Sequence, residues 1–155
     1  MADRQVYLTR DGYERLVHEL AELRLEKRPQ IEERIRLAKE LSDTVDNAEY
    51  DGAKQEQAFV EGRIQELEQL LADAEMIEEH PSTDFVRLGS HVTVVASDDE
   101  REDYTIVGSA EADPKRGFVS NESPVGRSLM GRKVGDEVTI VAPGGSFTVR
   151  IDAIK

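Results

Sequence analysis

The sequence predicts an α+β protein with two parts, a long antiparallel coiled-coil hairpin of α-helices followed by a small β-sheet domain with one short helix. Apolar residues recur at helical spacing in the first half of the 155-residue chain, whereas short β-branched runs separated by turn signals fill the second half. Charged residues make up 34% of the chain and aromatic residues 5%. This composition suits a long solvated helix pair better than a single large core.

The first helix is predicted over residues 9–40. Thr9 suits the N-cap position because its hydroxyl can accept a free backbone N–H at the helix start. Pro29 lies inside the pattern and removes one backbone donor, which predicts a kink rather than a stop. The apolar positions that define this helix are Tyr13, Leu16, Leu20, Leu23, Ile31, Ile35 and Ala38.

The second helix carries a more regular apolar seam, stepping by four and three residues as in a coiled coil. Two helices of about 30 residues with a short connection are expected to pack antiparallel, as a rod of roughly 45 Å. We assign residues 1–79 to this hairpin. The seam consists of Ala53, Gln57, Val60, Ile64, Leu67, Leu71 and Ala74.

The pattern changes after the hairpin. Residues 80–84 have no period and are predicted to be a linker, and residues 85–155 are predicted to form a globular domain. The segment Pro143-Gly144-Gly145 predicts a tight turn between two strands. Strands are predicted at 92–95, 104–107, 138–141 and 147–151, with a short helix within 123–131.

Composition excludes several classes of function. The net charge is −13, and residues 1–80 alone carry 21 acidic against 11 basic residues. Independent binding to DNA or RNA is not expected, because such binding depends on cations that displace counterions. The absence of cysteine excludes disulfides and thiolate metal sites. Without a long apolar run or a secretion signal, the chain is expected to be cytoplasmic.

The connection between the helices holds the first candidate site. Asp43 and Asp46 are three residues apart, so at a turn or helix end both carboxylates lie on one side. Mg²⁺ takes such hard oxygen ligands and commonly keeps several waters. Two carboxylates are too few to hold the ion alone, so a metal here would be shared with another molecule. The alternative is that both residues only cap helices on a solvated loop.

Basic residues cluster just below this connection, against the trend of the chain. They can contact a phosphate backbone, or they can form pairs with glutamates of the same helix. Both interpretations stay open for Lys39 and Lys54, and ion pairing is favoured for the others. The cluster consists of Arg24, Lys27, Arg28, Arg34, Arg36 and Lys39 on the first helix, with Lys54 on the second.

Distinctive blocks follow one another along the whole chain. The most specific are Asp46-Asn47-Ala48-Glu49-Tyr50, which follows Asp43, and Asn121-Glu122-Ser123-Pro124. Together they resemble the Gre transcript-cleavage factors of bacteria. Further matching blocks are Leu8-Thr9-Arg10-Asp11-Gly12-Tyr13, Arg28-Pro29, Lys54-Gln55-Glu56-Gln57, Glu61-Gly62-Arg63-Ile64 and Pro143-Gly144-Gly145.

The resemblance implies an FKBP-like C-terminal domain that docks on bacterial RNA polymerase and a coiled coil that enters the polymerase secondary channel. There the tip carboxylates assist a second Mg²⁺, held mainly by the polymerase, in cleaving backtracked nascent RNA. The chain itself would not be the enzyme. The implied roles are catalytic and metal-assisting for Asp43 and Asp46, RNA-contacting for Lys39 and Lys54, polymerase-binding for Ser123 and Pro124, and tip-shaping for Asn47 and Tyr50.

The tip departs from the usual Gre pattern. Ser42 replaces a glycine, Thr44-Val45 forms the middle pair, and Asp46 replaces a glutamate. An aspartate places its oxygens about 1 Å further back, and such a displacement can cost roughly 100-fold in rate. Since some relatives inhibit polymerase, the alternative is an inhibitor that occupies the channel without cleavage. A prolyl isomerase is a third hypothesis, suggested by the FKBP-like fold alone, and a fold does not confer an activity.

Overall fold

The computed structural model describes residues 5–41 and 47–155. They form two compact units, a helical unit of Tyr13–Asp73 and a β-rich unit made of the residues up to Gly12 together with Ala74–Lys155. The predicted α+β class, with a helical hairpin and a small sheet domain, is confirmed. In the described part of the chain, no helix is long and apolar enough to span a membrane.

The first arm of the hairpin is helical over nearly the predicted range, but it is not uniform. It consists of α1 (Arg10–Glu22), a π-helical segment (Leu23–Lys27) and α2 (Arg28–Leu41). The backbone N–H of Arg28 donates to the carbonyl of Leu23, five residues earlier. Pro29 follows directly and has no N–H to continue the α-helical ladder. The helix therefore continues past Pro29, as predicted, and the irregularity is a widened turn before it.

The second arm is α3 (Ala48–Asp73), and it runs antiparallel to α2. Ion pairs across the hairpin show this direction, because arginines later in the first arm pair with glutamates earlier in α3. The pairs are Arg24–Glu68, Arg28–Glu61 and Arg34–Glu56. The predicted seam is confirmed at its centre. The side chains of Leu20, Ile31, Val60, Ile64 and Leu67 form the buried core of this unit, Ala53 is also buried, and Gln57 and Leu71 are partly buried.

The β-rich unit contains a five-stranded sheet made of β3 (His91–Ala96), β4 (Arg101–Val107), β5 (Phe118–Ser120), β6 (Glu137–Ala142) and β7 (Gly145–Ile154). The strand order is β5-β4-β3-β7-β6. All neighbours are antiparallel except β4 and β5, which are parallel. The four predicted strands and the short helix are confirmed, whereas β5 was not predicted because three residues show no alternation. The short helix is α4 (Pro124–Leu129), and 3₁₀ turns lie at Ser109–Glu111 and Pro114–Arg116.

The predicted turn between the last two strands is also present. Ala142 pairs with Gly145 across Pro143 and Gly144. Gly145 has a φ of +133°, a conformation that L side chains rarely adopt. Around the sheet, the core of the unit is formed by Val86, Val92, Val94, Ile106, Val119, Leu129, Val138, Ile140, Val149, Ile151 and Ile154.

Two short strands add the chain's beginning to the β-rich unit. β1 (Val6–Leu8) pairs in parallel with β2 (Ala74–Met76). The carbonyl of Tyr7 approaches Gly108 so closely that a Cβ there would lie 2.3 Å from the oxygen. This division differs from the predicted domains of 1–79, 80–84 and 85–155, because residues up to Gly12 and from Ala74 belong to the sheet domain. Within the predicted linker, Pro81 is buried.

Candidate functional site

The two predicted metal-assisting residues, Asp43 and Asp46, lie outside the described residues, so their role stays a prediction. In residues 5–41 and 47–155, no group of three or more His, Asp or Glu side chains is arranged to hold a metal ion. The structure does describe the residues that flank this segment, namely the end of α2 and the start of α3.

Asn47 makes hydrogen bonds to both helices at this end of the hairpin. Its Nδ2 donates to the carbonyl of Ala38 at 2.9 Å, in the last turn of α2. Its Oδ1 accepts from the backbone N–H of Tyr50 at 3.1 Å, and its carbonyl accepts from the N–H of Asp51 at 3.0 Å. Asn47 is therefore the N-cap of α3, as its residue type predicts. One side chain thus holds the end of one helix against the start of the next.

Lys39 and Tyr50 meet across the hairpin beside this cap. The Lys39 ammonium lies 5.9 Å from the centroid of the Tyr50 ring, within range of a cation–π interaction. Lys54 follows Tyr50 by four residues on α3, so both occupy the same helix face. The side chains of Lys39 and Lys54 are exposed, and neither makes an ion pair with a described residue. The structure thus gathers both predicted RNA-contacting lysines near the tip.

The arginines of the predicted basic cluster are paired with glutamates instead. Arg24 contacts Glu68 at 2.6 Å, and the cluster's other pairs are Arg28–Glu61, Arg34–Glu56 and Arg36 with Glu33 and Glu40. The favoured intrahelical pairing is confirmed for Arg36, but it is wrong for Arg24, Arg28 and Arg34, whose partners lie on α3. Lys27 makes no ion pair with a described residue. The hydrogen bond from Arg28 lowers the pKa of Glu61, and the same bond raises the pKa of Arg28. Among the described residues on either side of the tip, Lys39 and Lys54 are the cations without an ion pair.

Ser123 and Pro124 begin the short helix α4. The Ser123 hydroxyl accepts from the N–H of Gly126 at 3.1 Å and donates to the carbonyl of Ser120 at 2.7 Å. Gly126 is required here, because a Cβ would lie 1.9 Å from the Ser120 oxygen. Ser123 therefore has a clear role as the N-cap, and the Pro124 ring is exposed on the first turn. Their contact with polymerase stays a prediction.

The aromatic side chains of the sheet domain give no support to an isomerase pocket. Phe85 lies in the loop before β3, whereas Tyr104, Phe118 and Phe147 lie on β4, β5 and β7. Phe85 stacks under Arg87 and Phe118 under Arg116, at 4.0 and 5.3 Å. Tyr104 on β4 donates to Glu102, and burial raises its pKa above the ordinary value. Phe147 is 44% exposed in the hairpin of β6 and β7.

A helical hairpin with a capped tip, joined to a sheet domain, defines a two-part protein, and known families match both parts. Residues 6–76 match the family described as the N-terminal domain of transcription elongation factors, and residues 80–155 match the C-terminal domain of the GreA/GreB factors. The chain belongs to the GreA/GreB family of transcription elongation factors.

Relatives of similar length share about half of its sequence. GreA of Geobacillus kaustophilus is 50% identical over 155 residues, covering 99% of this chain and 98% of its own. GreA of Bacillus subtilis is 47% identical over 157 residues, with both chains fully covered. GreA of Chloroflexus aggregans is 50% identical over 157 residues, also with full coverage of both chains.

Solved structures are also similar in sequence over nearly the whole chain. GreA factor homolog 1 of Thermus thermophilus is 35% identical, with 98% of this chain and 99% of its own covered and a TM-score of 0.46. A GreA/GreB factor of Nitrosomonas europaea is 23% identical, with 99% of each chain covered and a TM-score of 0.43.

Proposed function

We propose that this elongation factor binds bacterial RNA polymerase through its sheet domain and stimulates the polymerase's own hydrolytic cleavage of backtracked nascent RNA. The observation that carries the proposal is the antiparallel hairpin whose helices are joined by Asn47, next to the sequence that contains Asp43 and Asp46. The 26 residues of α3 extend about 39 Å. A rod of this length is suited to carry carboxylates through the secondary channel of a large enzyme to its active centre.

The donor set of the chain fits an assisting role toward Mg²⁺. Asp43 and Asp46 offer the hard oxygen ligands that Mg²⁺ prefers, and no cluster of three or more acidic or histidine side chains in the described residues forms a complete site. The ion would therefore be held mainly by the polymerase, with the two aspartates as additional ligands. When bound, such an ion activates water and stabilises developing charge. The chain contributes carboxylates and their placement, and the active site belongs to the polymerase.

The lysines near the tip supply the complementary charge for RNA. Lys39 and Lys54 are exposed and free of glutamate partners in the described chain, so their ammonium groups are available to the phosphates of the RNA 3′ segment. The Lys39 ammonium lies over the Tyr50 ring, 5.9 Å from its centroid. Because the whole chain is strongly acidic, these contacts depend on the polymerase to present the RNA.

The test uses stalled, backtracked complexes of the host polymerase that carry 5′-labelled RNA. Transcript length is followed after addition of the chain and Mg²⁺. The parent protein is expected to shorten the RNA, and Asp43→Ala and Asp46→Ala are each expected to slow shortening at least about 100-fold. Asp51→Ala is the matched control, because Asp51 is exposed on the first turn of α3 and lies outside the predicted pair.

Two outcomes would contradict cleavage. If RNA length stays constant while nucleotide addition slows, the aspartate at position 46 has made the chain an inhibitor that occupies the channel. If the aspartate variants and the Asp51→Ala control shorten RNA as fast as the parent, the tip carboxylates have no part in the reaction.

A further inference from the structure

Arg87 packs on an aromatic ring and makes no ion pair with a described residue. Its guanidinium lies 4.0 Å from the centroid of the Phe85 ring. Its backbone N–H donates to the hydroxyl of Ser90 at 2.9 Å, and its carbonyl accepts from the Ser90 N–H at 3.0 Å. The Nε–H of Arg87 is buried and has no acceptor in the described chain. A stacked guanidinium still presents its fork of N–H groups in its own plane, so Arg87 is an ordered donor.

This arrangement contrasts with other arginines of the same chain. Arg28 and Arg63 each hold a glutamate across the hairpin, and Arg101 in the sheet domain contacts Asp152. Asp84 lies only three residues before Arg87, yet no ion pair joins the two. Leaving a partly buried charged donor without an acceptor costs free energy. Because the protein encloses Nε, an acceptor from another molecule would bind the terminal Nη–H groups of Arg87 and compensate its unpaired charge.

A second segment extends the positive surface beside Arg87. The N–H of Val86 donates to the carbonyl of Arg132, and the N–H of Gly131 donates to the carbonyl of Val86, both at 2.8 Å. Arg132 and Lys133 are exposed and make no ion pair with a described residue. The nearby carboxylate of Asp136 already accepts the backbone N–H of Lys133. Two exposed cations therefore follow directly on the segment that is hydrogen-bonded to the residue before Arg87, on a chain with a net charge of −13.

Apolar side chains accompany these cations. Phe85 is 39% exposed and Val134 is 55% exposed. We name the set of Phe85, Arg87, Arg132, Lys133 and Val134 the Arg87 surface. It lies at the C-terminal end of α4, because the N–H of Arg132 donates to the carbonyl of Leu129. Pro124, predicted to contact polymerase, lies at the other end of the same six-residue helix, about 9 Å away.

We infer that the Arg87 surface docks on an acidic protein segment of RNA polymerase, with a carboxylate bound in the N–H fork of Arg87 and an apolar side chain over Phe85 and Val134. The planar fork matches a carboxylate with two parallel hydrogen bonds. A protein partner fits better than nucleic acid, because phosphates offer nothing to cover the apolar side chains and the net charge of −13 repels a polyanion. The inference rests on the proposed function, since it takes RNA polymerase as the partner.

The experiment measures the Kd of the full-length, fluorescently labelled chain for nucleic-acid-free core polymerase of the host. Arg87→Gln is expected to raise Kd about 10- to 100-fold, from the loss of charged hydrogen bonds. Arg87→Lys keeps the charge but lacks the planar fork of N–H groups. Its Kd is expected to lie between that of the parent and that of Arg87→Gln. Arg116→Gln is the matched control, because Arg116 also stacks on a phenylalanine of the same domain. Its Kd is expected to stay within about twofold of the parent value.

A double variant, Arg132→Gln with Lys133→Gln, guards against misfolding of the Arg87 variants. Both side chains are exposed, so the variant is expected to fold normally and to raise Kd about 10-fold. Thermal unfolding of each variant checks this. Unchanged binding of the double variant, or of a folded Arg87→Gln, would overturn the inference. So would a loss of binding to naked duplex DNA with unchanged binding to core polymerase, which would assign the surface to phosphates.

The two proposals can fail separately. If binding depends on Arg87 but no RNA is shortened, the docking inference stands and the cleavage proposal is wrong. If RNA is shortened and Arg87→Gln binds core polymerase as tightly as the parent, cleavage stands and the docking inference is wrong.

Discussion

The carboxylate of Glu111 accepts two hydrogen bonds from Thr9, one from the backbone N–H at 2.6 Å and one from the hydroxyl at 2.5 Å. The Thr9 hydroxyl in turn accepts the N–H of Gly12 at 3.0 Å, as the N-cap of α1. The predicted cap is therefore present, and a residue 102 positions away orients it. Glu111 also places negative charge at the positive end of a helix, which is favourable. All three residues belong to the β-rich unit.

Replacing Glu111 should weaken this unit. In Glu111→Gln, one amide oxygen can still accept, but the amide nitrogen would face a donor of Thr9. We expect the free energy of unfolding to fall by about 1–2 kcal/mol, measured by urea unfolding followed by tyrosine fluorescence. Glu122→Gln is the control, because Glu122 is exposed. Equal midpoints for the two variants would show that the Thr9 contact contributes nothing to stability.

The Glu111 carboxylate packs directly against Gly12, where a larger residue would clash with it. A Cβ on Gly12 would lie 2.2 Å from Oε1 of Glu111, so Gly12→Ala must displace the carboxylate from Thr9. Gly62 lies inside α3 with no atom within 4 Å of its Cβ position. Gly62→Ala should therefore stabilise the chain by about 0.5–1 kcal/mol through helix propensity, whereas Gly12→Ala should destabilise it. The changes in the free energy of unfolding caused by Gly12→Ala and Glu111→Gln, measured by urea unfolding, should not be additive. Additive changes would show that the alanine does not act through the Glu111 carboxylate.

The hydrogen bonds of Asn47 to α2 and α3 should stabilise the hairpin. Asn47→Ala removes the cap of α3 and the donor to Ala38, and we expect a loss of about 1–2 kcal/mol in hairpin stability. Asn47→Asp keeps the acceptor for Tyr50 but not the donor, so its loss should be smaller. Far-ultraviolet circular dichroism during urea unfolding measures this, with the exposed Gln55→Ala as control. If Asn47→Asp were as unstable as Asn47→Ala, the cap of α3 would contribute little and the Ala38 bond would dominate.

Local signals were sufficient for the predicted elements of this fold. The seam from Ala53 to Leu67 and the turn at Pro143 and Gly144 each depend on residues close in sequence, and the structure confirms them. The parallel pairing of Val6 with Ala74 and the contact of Thr9 with Glu111 join residues too distant for any spacing rule. A three-residue strand also carries no detectable period.

Features of the candidate site that depend on residue type were easier to predict than those that depend on contacts between distant residues. Asn47 is the N-cap of α3, a position that asparagine favours, but residue type alone does not separate it from the neighbouring aspartate. The pairing of the hairpin arginines needed the register of the two helices, which the apolar seam alone does not give. Whether an arginine such as Arg87 is paired depends on which acidic side chains fold near it. Within residues 5–41 and 47–155 it makes no ion pair, even with Asp84, so closeness in sequence does not decide this.

The bidentate pair of Arg28 and Glu61 gives a prediction about pH. Arg28 Nε and Nη2 contact the Glu61 carboxylate at 2.7 and 2.9 Å, and these bonds lower the pKa of Glu61 in the folded state. The pair therefore stabilises the hairpin fully above the ordinary glutamate pKa of about 4.3, and its contribution is lost as the pH falls through the lower folded-state value. A double-mutant cycle with Arg28→Gln and Glu61→Gln should show coupling at about pH 7 and none at about pH 2.

Salt and a neighbouring lysine provide the controls for this cycle. Both side chains are more than one-third exposed, so added salt should weaken the coupling at neutral pH. The adjacent Lys27 makes no ion pair with a described residue, and a cycle of Lys27→Gln with Glu61→Gln should show almost no coupling. Equal coupling in the two cycles would mean that Glu61 responds to the general positive charge of the first arm and not to the guanidinium fork of Arg28. Coupling that persists in acid would mean that hydrogen bonding to the neutral carboxyl, not its charge, joins the helices.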